Sequence, residues 1–247
     1  MRPFARSKAL PAPWVLTSSS LAGFLAGARV FRLLGHEDVA SVLREIADAA
    51  FVDGRETAPG SLKEVKNNLQ VGRGRTLPEA ERLIREALDG HGEFAAFAQP
   101  ATILSPVYSR YEPGMEYGPH VDAAIMGLPR LRADLSLTLF LSSPETYDGG
   151  ELVVDSLGAR QAIKLDAGEA VVYPAGTIHH VAPVTRGVRL AAVTWIQSLA
   201  PNESLRGILF DLWQVSQRPS VRANPDVSLM ISRIYQNLIR HAAGLGY

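Results

Sequence analysis

The stretch Asp134-Leu-Ser-Leu-Thr-Leu-Phe-Leu141 decides the fold, because its side chains repeat every second position. Leucine occupies the odd positions, while Ser136 and Thr138 stand between them. Successive side chains of a β-strand point to opposite faces, so the pattern predicts a strand with two distinct faces. Further short strand candidates, separated by turns that contain Gly or Pro, are Leu152–Val154, Ala162–Leu165, Ala170–Tyr173 and Val188–Ile196. Because no helical pattern interrupts them, these strands favour an antiparallel barrel or jelly roll over a parallel sheet.

Helical patterns flank the β-region on both sides. Before it, apolar residues recur at helical spacing over Asp38–Ala50, and Thr76-Leu-Pro-Glu79 has the pattern of a capping box. After it, Asn202 is placed to cap a helix, and a last helix carries apolar residues over Val227–Ile239. Between the first two helices, Asp53–Arg75 is rich in Gly, Arg, Asn and Lys, which predicts an exposed loop.

The fold class that these patterns predict is mainly β with flanking α. We divide the chain into an N-terminal extension (residues 1–30), a helical N-terminal part (31–100), a β-core (101–199) and a C-terminal helical segment (200–247). The apolar stripes of the last segment are interpreted as packing surfaces, and they are compatible with a homodimer formed through these helices.

Composition excludes several classes of function. The 247 residues carry 25 basic and 25 acidic side chains, and this balance gives no reason to expect a nucleic acid or an anionic membrane as partner. The absence of cysteine excludes disulfides, zinc–thiolate sites, iron–sulfur clusters and thiol nucleophiles. No apolar run reaches the ~18–20 residues of a membrane span, and Met1–Phe31 resembles a signal peptide only weakly. We therefore expect a cytoplasmic protein in which any metal is held by His, Asp or Glu.

Two short motifs supply such ligands. In His120-Val-Asp122 the two ligand-type side chains share one face of an extended strand. A third imidazole from His179 or His180 would complete a set of two histidines and one carboxylate, which suits Fe(II) with open coordination positions. Taken alone, the first motif favours a hydrogen-bonded pair in a surface loop. The flanking turn Tyr111-Glu-Pro-Gly114 and the later histidines reverse this preference in favour of a metal site.

Arg189 is the candidate for binding a dicarboxylic co-substrate. It stands among apolar residues, where an unpaired charge is costly, and a guanidinium is the best partner for a buried carboxylate. A structural ion pair with an internal acid is the alternative interpretation. Arg186 is a rival, although its Thr-Arg-Gly context indicates an exposed turn.

Longer motifs resemble a known family. They are Arg110-Tyr-Glu-Pro-Gly-Met-Glu-Tyr-Gly-Pro-His120-Val-Asp122, Tyr147-Asp-Gly-Gly-Glu151, Tyr173-Pro-Ala-Gly-Thr-Ile-His179, the run from His180 to Arg189, and Trp195-Ile-Gln-Ser198. Together they resemble the Fe(II)/2-oxoglutarate dioxygenases of the prolyl-4-hydroxylase type, and within that superfamily the bacterial PKHD-type hydroxylases. The resemblance covers the chain from about Phe31 to the C-terminus, and the first thirty residues have no counterpart in it.

The resemblance implies a double-stranded β-helix (jelly roll) core whose iron is held by His120, Asp122 and His179. In the family the distal histidine precedes the basic residue that binds 2-oxoglutarate by ten positions, which selects His179 over His180 when counted from Arg189. His180 is then expected to be a packing residue, or a residue that contacts the metal ligands without binding the metal.

Two further side chains belong to the co-substrate site by resemblance. Tyr111 and Thr138 lie on segments that line the pocket in relatives. The carboxylate at position 122 favours hydroxylation, because halogenating relatives carry a small residue there. L-Ascorbate is a candidate reductant.

The predicted function is hydroxylation of a C–H bond of an unidentified small-molecule or peptidyl substrate with O2, coupled to oxidative decarboxylation of 2-oxoglutarate to succinate and CO2. The segments 53–75 and 123–133 are expected to shape the substrate entrance. A non-catalytic β-barrel module that holds a structural or sensory metal, and a zinc hydrolase, are the alternatives.

Overall fold

The computed structural model describes residues 15–16, 27–57, 60, 62–72, 74–127, 130–156 and 159–244. Its α-helices within these ranges are α1 (His36–Ala47), α2 (Leu62–Val65), α3 (Pro78–Gly90), α4 (Gly92–Ala98), α5 (Glu203–Ser216), α6 (Pro219–Arg222) and α7 (Pro225–Ala242). Short 3-10 turns occupy Gly54–Thr57 and Pro144–Thr146.

The strands in chain order are β1 (Val15–Leu16), β2 (Arg29–Arg32), β3 (Phe51–Asp53), β4 (Lys66–Asn67), β5 (Leu69–Val71), β6 (Pro100–Ile103), β7 (Val107–Tyr111), β8 (Glu116–His120), β9 (Ile125–Met126), β10 (Leu131–Arg132), β11 (Leu135–Phe140), β12 (Asp148–Gly149), β13 (Leu152–Ser156), β14 (Ala159–Ile163), β15 (Glu169–Pro174), β16 (Ile178–Val181), β17 (Val184–Arg186) and β18 (Arg189–Ser198).

Two mostly antiparallel sheets form the jelly-roll core that the sequence predicted. The larger sheet has the order β2-β15-β11-β18-β7-β5-β3, with β6 also paired to β18. The smaller sheet has the order β1-β14-β13-β16-β8-β4. Within the larger sheet β11 pairs with both β15 and β18, so the strand that decided the fold class is an interior strand with a neighbour on each side.

The two faces of β11 have different neighbours, as its alternating pattern predicted. Leu135, Leu137 and Leu139 belong to the hydrophobic cluster that also contains the buried faces of α1, α3 and α4. Phe140 belongs to the cluster with residues of β13, β14 and β15. Ser136 and Thr138 are buried on the same face as Phe140, so this face presents hydroxyl groups to the space between the sheets.

The predicted capping box at Thr76 is wrong. Helix α3 begins at Pro78 after Leu77, whose side chain makes no capping bond. Glu45 of α1 takes this role instead, because its Oε2 accepts a hydrogen bond of 2.7 Å from the Ala80 N–H. The predicted cap of α5 is confirmed, since Asn202 Oδ1 accepts a hydrogen bond of 2.9 Å from the Leu205 N–H.

The segment 53–75 is not the exposed loop that its polar composition predicted. Its strand β4 pairs with β8 of the smaller sheet, and β5 pairs with β3 and β7 of the larger one. Lys66, Asn68 and Gln70 are buried at alternate positions. Hydrogen-bond partners inside the protein compensate for the loss of water on burial. Gln70 accepts a hydrogen bond of 2.6 Å from Thr57 and donates one of 3.2 Å to Ser109.

The ends of the chain frame the core. Most of the predicted extension 1–30 lies outside the described residues, but β2 begins at Arg29 and pairs with β15, so the division placed at residue 30 falls inside a strand. At the other end α5 packs on α4 and α7. Among the described helices, none combines the length and the apolar character needed to cross a membrane.

Candidate metal centre

Three ligand-type side chains from two distant stretches meet between the sheets. His120 is the last residue of β8, Asp122 follows two positions later, and His179 lies on β16 directly opposite His120 in the strand pairing. One potential donor atom from each side chain lies within 4.8 Å of the others. Strand pairing thus converts a long separation in sequence into one compact donor set.

Backbone carbonyls orient both imidazoles. His120 Nδ1 lies 2.9 Å from the Gly118 carbonyl oxygen, and His179 Nδ1 lies 2.9 Å from that of Thr177. Since a carbonyl only accepts, each Nδ1 carries the proton, and the Nε2 lone pair remains for a metal. His179 Nε2 lies 3.7 Å from Asp122 Oδ2.

The Asp122 carboxylate is held by a side chain of β11. Ser136 of β11 donates a hydrogen bond of 2.6 Å to Asp122 Oδ2. Ser136 was not singled out by sequence reasoning, although its position on the polar face of β11 is a signal that could have identified it. A hydrogen-bonded carboxylate keeps one orientation, which a metal ligand requires.

Burial favours the neutral, metal-binding form of the His120 imidazole. It lowers the pKa of His120 to about 4, with a further lowering from His179, against an opposing effect of the Asp122 charge. The Tyr117 ring stacks on His120 with centroids 3.7 Å apart. Two neutral imidazoles and one carboxylate are the donor set of non-haem Fe(II) centres, so the residues present fit this metal.

His180 takes no part in this cluster. It follows His179 on β16, pairs with Val153 of β13, and is half-buried beside Arg160 and Glu116. Adjacent strand residues point to opposite faces, so the side chain lies on the face away from the metal centre.

Arg189 is a fully buried cation at the start of β18. It is 2% exposed, and its guanidinium carbon lies 5.1 Å from the Tyr111 ring centroid and 5.3 Å from that of Phe140. None of the ion pairs formed by the described residues involves Arg189, and its Nε makes no hydrogen bond. The internal acid that a structural ion pair requires is therefore not among the described residues. Arg186, the rival cation, is exposed and paired with Asp148 at 2.6 Å.

The two residues assigned to the co-substrate site by resemblance both lie between the sheets. Tyr111 of β7 is the strand partner of Arg189. Burial raises the pKa of the Tyr111 hydroxyl, and the Arg189 charge and the Asn68 amide oppose this rise. Thr138 hydrogen-bonds to the Tyr173 hydroxyl, and the Tyr173 ring meets His179 edge-on at 5.2 Å. These contacts connect the metal centre to the surroundings of Arg189.

Tyr147 also lies against Arg189, which sequence reasoning did not assign. The Tyr147 side chain has no exposed surface, and burial raises its pKa while the neighbouring Arg189 charge opposes the rise. Lys164 Nζ lies 4.1 Å from the Tyr147 ring centroid. The motif Tyr147-Asp-Gly-Gly-Glu151 was the available signal, because paired glycines indicate close packing.

Asn68 and Lys66 are the other residues that sequence reasoning missed. Lys66 Nζ lies 5.1 Å from the ring centroid of Tyr117, which in turn stacks on His120. Asn68 lies beside the Tyr111 hydroxyl. The alternate spacing of Lys66, Asn68 and Gln70 could have predicted a strand with one inward polar face.

A short hairpin follows the metal ligands. Strands β9 and β10 pair with each other directly after Asp122, and Ile125 in this hairpin is 53% exposed. The Arg132 N–H donates a hydrogen bond of 3.2 Å to the Gln197 side chain at the end of β18. The described part of the segment 123–133 thus follows the ligand Asp122 in the chain and is attached to the end of β18.

Comparison with known proteins agrees with this geometry. A family model described as the 2OG-Fe(II) oxygenase superfamily matches residues 106–197. A PKHD-type hydroxylase from Synechococcus sp. (strain JA-2-3B'a(2-13)) is 45% identical over 218 residues, covering 86% of this chain and 97% of the relative. A PKHD-type hydroxylase from Maricaulis maris (strain MCS10) is 46% identical over 199 residues, covering 80% of this chain and 90% of the relative.

A solved structure shares the fold at low identity. A prolyl hydroxylase from Trichoplax adhaerens, in complex with a hypoxia inducible factor oxygen degradation domain peptide fragment, superimposes with a TM-score of 0.56 at 13% identity, covering 74% of this chain and 87% of that one. The non-catalytic binding module is not favoured by the relatives. The chain belongs to the PKHD-type hydroxylases and is an Fe(II)- and 2-oxoglutarate-dependent dioxygenase.

Proposed function

We propose that the Nε2 atoms of His120 and His179 and the carboxylate of Asp122 bind the Fe(II), and that Arg189 binds the distal carboxylate of 2-oxoglutarate. The observation that carries this proposal is the buried Arg189 guanidinium, for which the described residues supply no carboxylate. A buried charge without a partner is strongly destabilising. A dianionic co-substrate supplies that partner in the same pocket as the donor set.

When bound, Fe(II) supplies the chemistry that couples decarboxylation of 2-oxoglutarate by O2 to hydroxylation of a substrate C–H bond. The residues of this chain provide binding and orientation. Gly118 and Thr177 fix the imidazole tautomers through their carbonyls, and Ser136 fixes the Asp122 carboxylate.

The pocket walls exclude water around the co-substrate. Phe140, Tyr147 and Tyr173 have at most 1% of their surface exposed. A charge-assisted hydrogen bond to Arg189 is stronger in such surroundings than in water. Tyr111 completes the proposed co-substrate site as a hydrogen-bond donor, and Thr138 lines it beside Tyr173.

The experiment that tests the site is an anaerobic titration of the protein with Fe(II) and 2-oxoglutarate, monitored by the visible charge-transfer absorption of the chelated metal. We expect the band in the parent protein and its loss in Asp122→Ala. Asp148→Ala, which removes an exposed carboxylate outside the pocket, is the matched control and is expected to keep the band. A protein that binds Fe(II) without any affinity for 2-oxoglutarate would instead fit the metal-binding module.

The substrate is proposed to be a small molecule or a peptidyl side chain that reaches the metal centre past the β9–β10 hairpin. Untargeted comparison of cell extracts incubated with the parent enzyme or with Asp122→Ala tests this, because the substrate gains the mass of one oxygen atom only with the parent.

We include L-ascorbate as a reductant for the iron. Activity assays with and without L-ascorbate test this. The cytoplasmic location stays a prediction, for which cell fractionation is the measurement.

We further propose a homodimer formed through the C-terminal helices. Helix α7 has no buried residue, and its apolar side chains Val227, Leu229, Met230 and Ile234 are 41–72% exposed. Val227, Met230 and Ile234 are spaced three and four residues apart and so share one face of the helix. An exposed apolar face of this kind is typical of an interaction site. Light scattering of the parent is expected to give twice the mass of the chain, and Met230→Lys is expected to give a monomer; a monomeric parent would contradict the proposal.

A further inference from the structure

Asn68 is a buried carboxamide at the junction of β4 and β5. Its side chain is 3% exposed, and neither Nδ2 nor Oδ1 makes a hydrogen bond of regular geometry with the described residues. Leaving such a group unpaired costs stability, so an unsatisfied buried amide requires an explanation. Gln70, the next buried polar residue along this segment, is satisfied by contrast, because it hydrogen-bonds to Thr57 and Ser109.

The backbone holds Asn68 firmly in this place. It is the single residue between β4, which pairs with β8, and β5, which pairs with β7. The Gly54 N–H donates a hydrogen bond of 2.8 Å to the Asn68 carbonyl oxygen. A β-carbon at Gly54 would overlap Asn68 Oδ1, so the glycine leaves room for the amide.

The amide lies beside the Tyr111 hydroxyl. In the antiparallel register of β5 and β7 Leu69 pairs with Arg110, so Asn68, one residue earlier, stands opposite Tyr111. In agreement with this placement, the Asn68 amide opposes the rise in the pKa of Tyr111 that burial causes. Tyr111 in turn is the strand partner of Arg189, and its ring lies 5.1 Å from the guanidinium carbon. A chain of adjacent side chains therefore leads from Asn68 through Tyr111 to Arg189 in the proposed co-substrate site.

We propose that Asn68 is a positioning residue for 2-oxoglutarate. Its N–H donates to the Tyr111 oxygen, and the Tyr111 O–H is thereby directed to the co-substrate that Arg189 holds. A hydroxyl both donates and accepts, so a donor fixed on its oxygen leaves the proton for the ligand. This inference rests on the proposed function, because it takes Arg189 and Tyr111 as the binding site for 2-oxoglutarate.

The test is a double-mutant cycle on 2-oxoglutarate affinity, measured by anaerobic titration of the Fe(II)-loaded protein. A hydrogen bond of this kind corresponds to about a threefold to tenfold change in affinity, so Asn68→Ala is expected to raise the Kd for 2-oxoglutarate by that factor. In the Tyr111→Phe background the same substitution is expected to change Kd less than about twofold, because the acceptor oxygen is absent. Fe(II) affinity without 2-oxoglutarate is expected to stay unchanged.

The control is Asn67→Ala, which removes the same side chain from the neighbouring, exposed position. It is expected to leave the Kd for 2-oxoglutarate unchanged. Asn68→Ser is a second variant in case the alanine variant does not fold, and circular dichroism verifies the fold of each.

Distinct results separate this inference from the proposed function. An unchanged Kd in Asn68→Ala, or an equal change with and without Tyr111→Phe, overturns the role of Asn68 while Arg189 remains the binding residue. If Tyr111→Phe alone leaves Kd unchanged, both Tyr111 and Asn68 lose their roles. If the parent protein shows no 2-oxoglutarate binding, the proposed function itself is wrong.

Discussion

Gly150 packs directly against the side chain of Arg189. A β-carbon at Gly150 would lie 3.0 Å from Cδ of Arg189, 3.1 Å from Cε2 of Tyr147 and 2.9 Å from Cγ2 of Val184. The glycine also has φ of 67°, a conformation that side chains rarely adopt. The second glycine of the Tyr147-Asp-Gly-Gly-Glu151 motif therefore sets the position of the cation in the pocket.

Replacing this glycine tests whether that position matters for the co-substrate. Gly150→Ala is expected to raise the Kd for 2-oxoglutarate by about tenfold, because the added methyl group displaces the guanidinium, and to lower stability by about 1–2 kcal/mol for the positive φ. Anaerobic titration and urea unfolding measure the two effects. Gly92→Ala, where an added β-carbon meets nothing within 4 Å, is the control. Unaltered affinity in Gly150→Ala would show that the contact is dispensable.

Removing the cation tests its proposed partner. Arg189→Met keeps most of the side-chain volume and is expected to weaken 2-oxoglutarate binding by at least about 100-fold, since a charge-assisted bidentate pair is lost, while Fe(II) binding persists. Arg186→Met removes an exposed arginine three positions earlier and is expected to bind 2-oxoglutarate like the parent. The measurement is the same titration, and equal weakening in both variants would argue against a specific site at Arg189.

Ser136 is expected to control the affinity for the metal. Ser136→Ala removes the 2.6 Å hydrogen bond to Asp122 Oδ2 and is expected to weaken Fe(II) binding by about 10-fold, as is typical when a group supporting a metal ligand is lost. Competition with a chromophoric chelator under anaerobic conditions measures this. Ser41→Ala on α1 is the control, because that hydroxyl bonds only within and beside its own helix. Parent-like metal affinity in Ser136→Ala would mean that Asp122 needs no such support.

The start of α3 provides a test of stability alone. Glu45→Ala removes the acceptor for the Ala80 N–H and is expected to lower the free energy of unfolding by about 1 kcal/mol, the usual effect of losing a helix cap. Thr76→Ala is expected to have no measurable effect, because Thr76 precedes the helix and is exposed. Urea unfolding followed by circular dichroism compares the two variants, and a larger loss in Thr76→Ala would restore the capping box.

Local patterns were sufficient to predict the strands β11, β13, β15 and β18, and β14 in part. The alternation around Ser136 and Thr138 depends only on the period of a strand, and it holds in the structure. His120 ends β8 and Asp122 lies just beyond it, and their donor atoms lie in one cluster with that of His179, as the motif predicted. The choice of His179 over His180 came from resemblance, and the geometry places His179 in the donor set and His180 outside it.

The segment 53–75 could not be predicted in this way, because the burial of its polar residues depends on distant partners. Gln70 is buried beside Ser109, and Lys66 lies over the Tyr117 ring, which only the folded chain brings together. The start of α3 failed for a similar reason, since Glu45 acts across two helices. Tertiary contacts outweighed local composition at both places.

The attachment of Asn67 to one sheet and of Leu69 to the other also limits how the molecule can open. A chain covers at most about 3.6 Å per residue, so the Cα atoms of these two residues always lie within about 7 Å of each other. While both strand pairings persist, β7 and β8 therefore cannot separate at this point. The junction between β7 and β8 is thereby held closed. An opening between the sheets at this edge therefore requires that one of these two strand pairings is lost first.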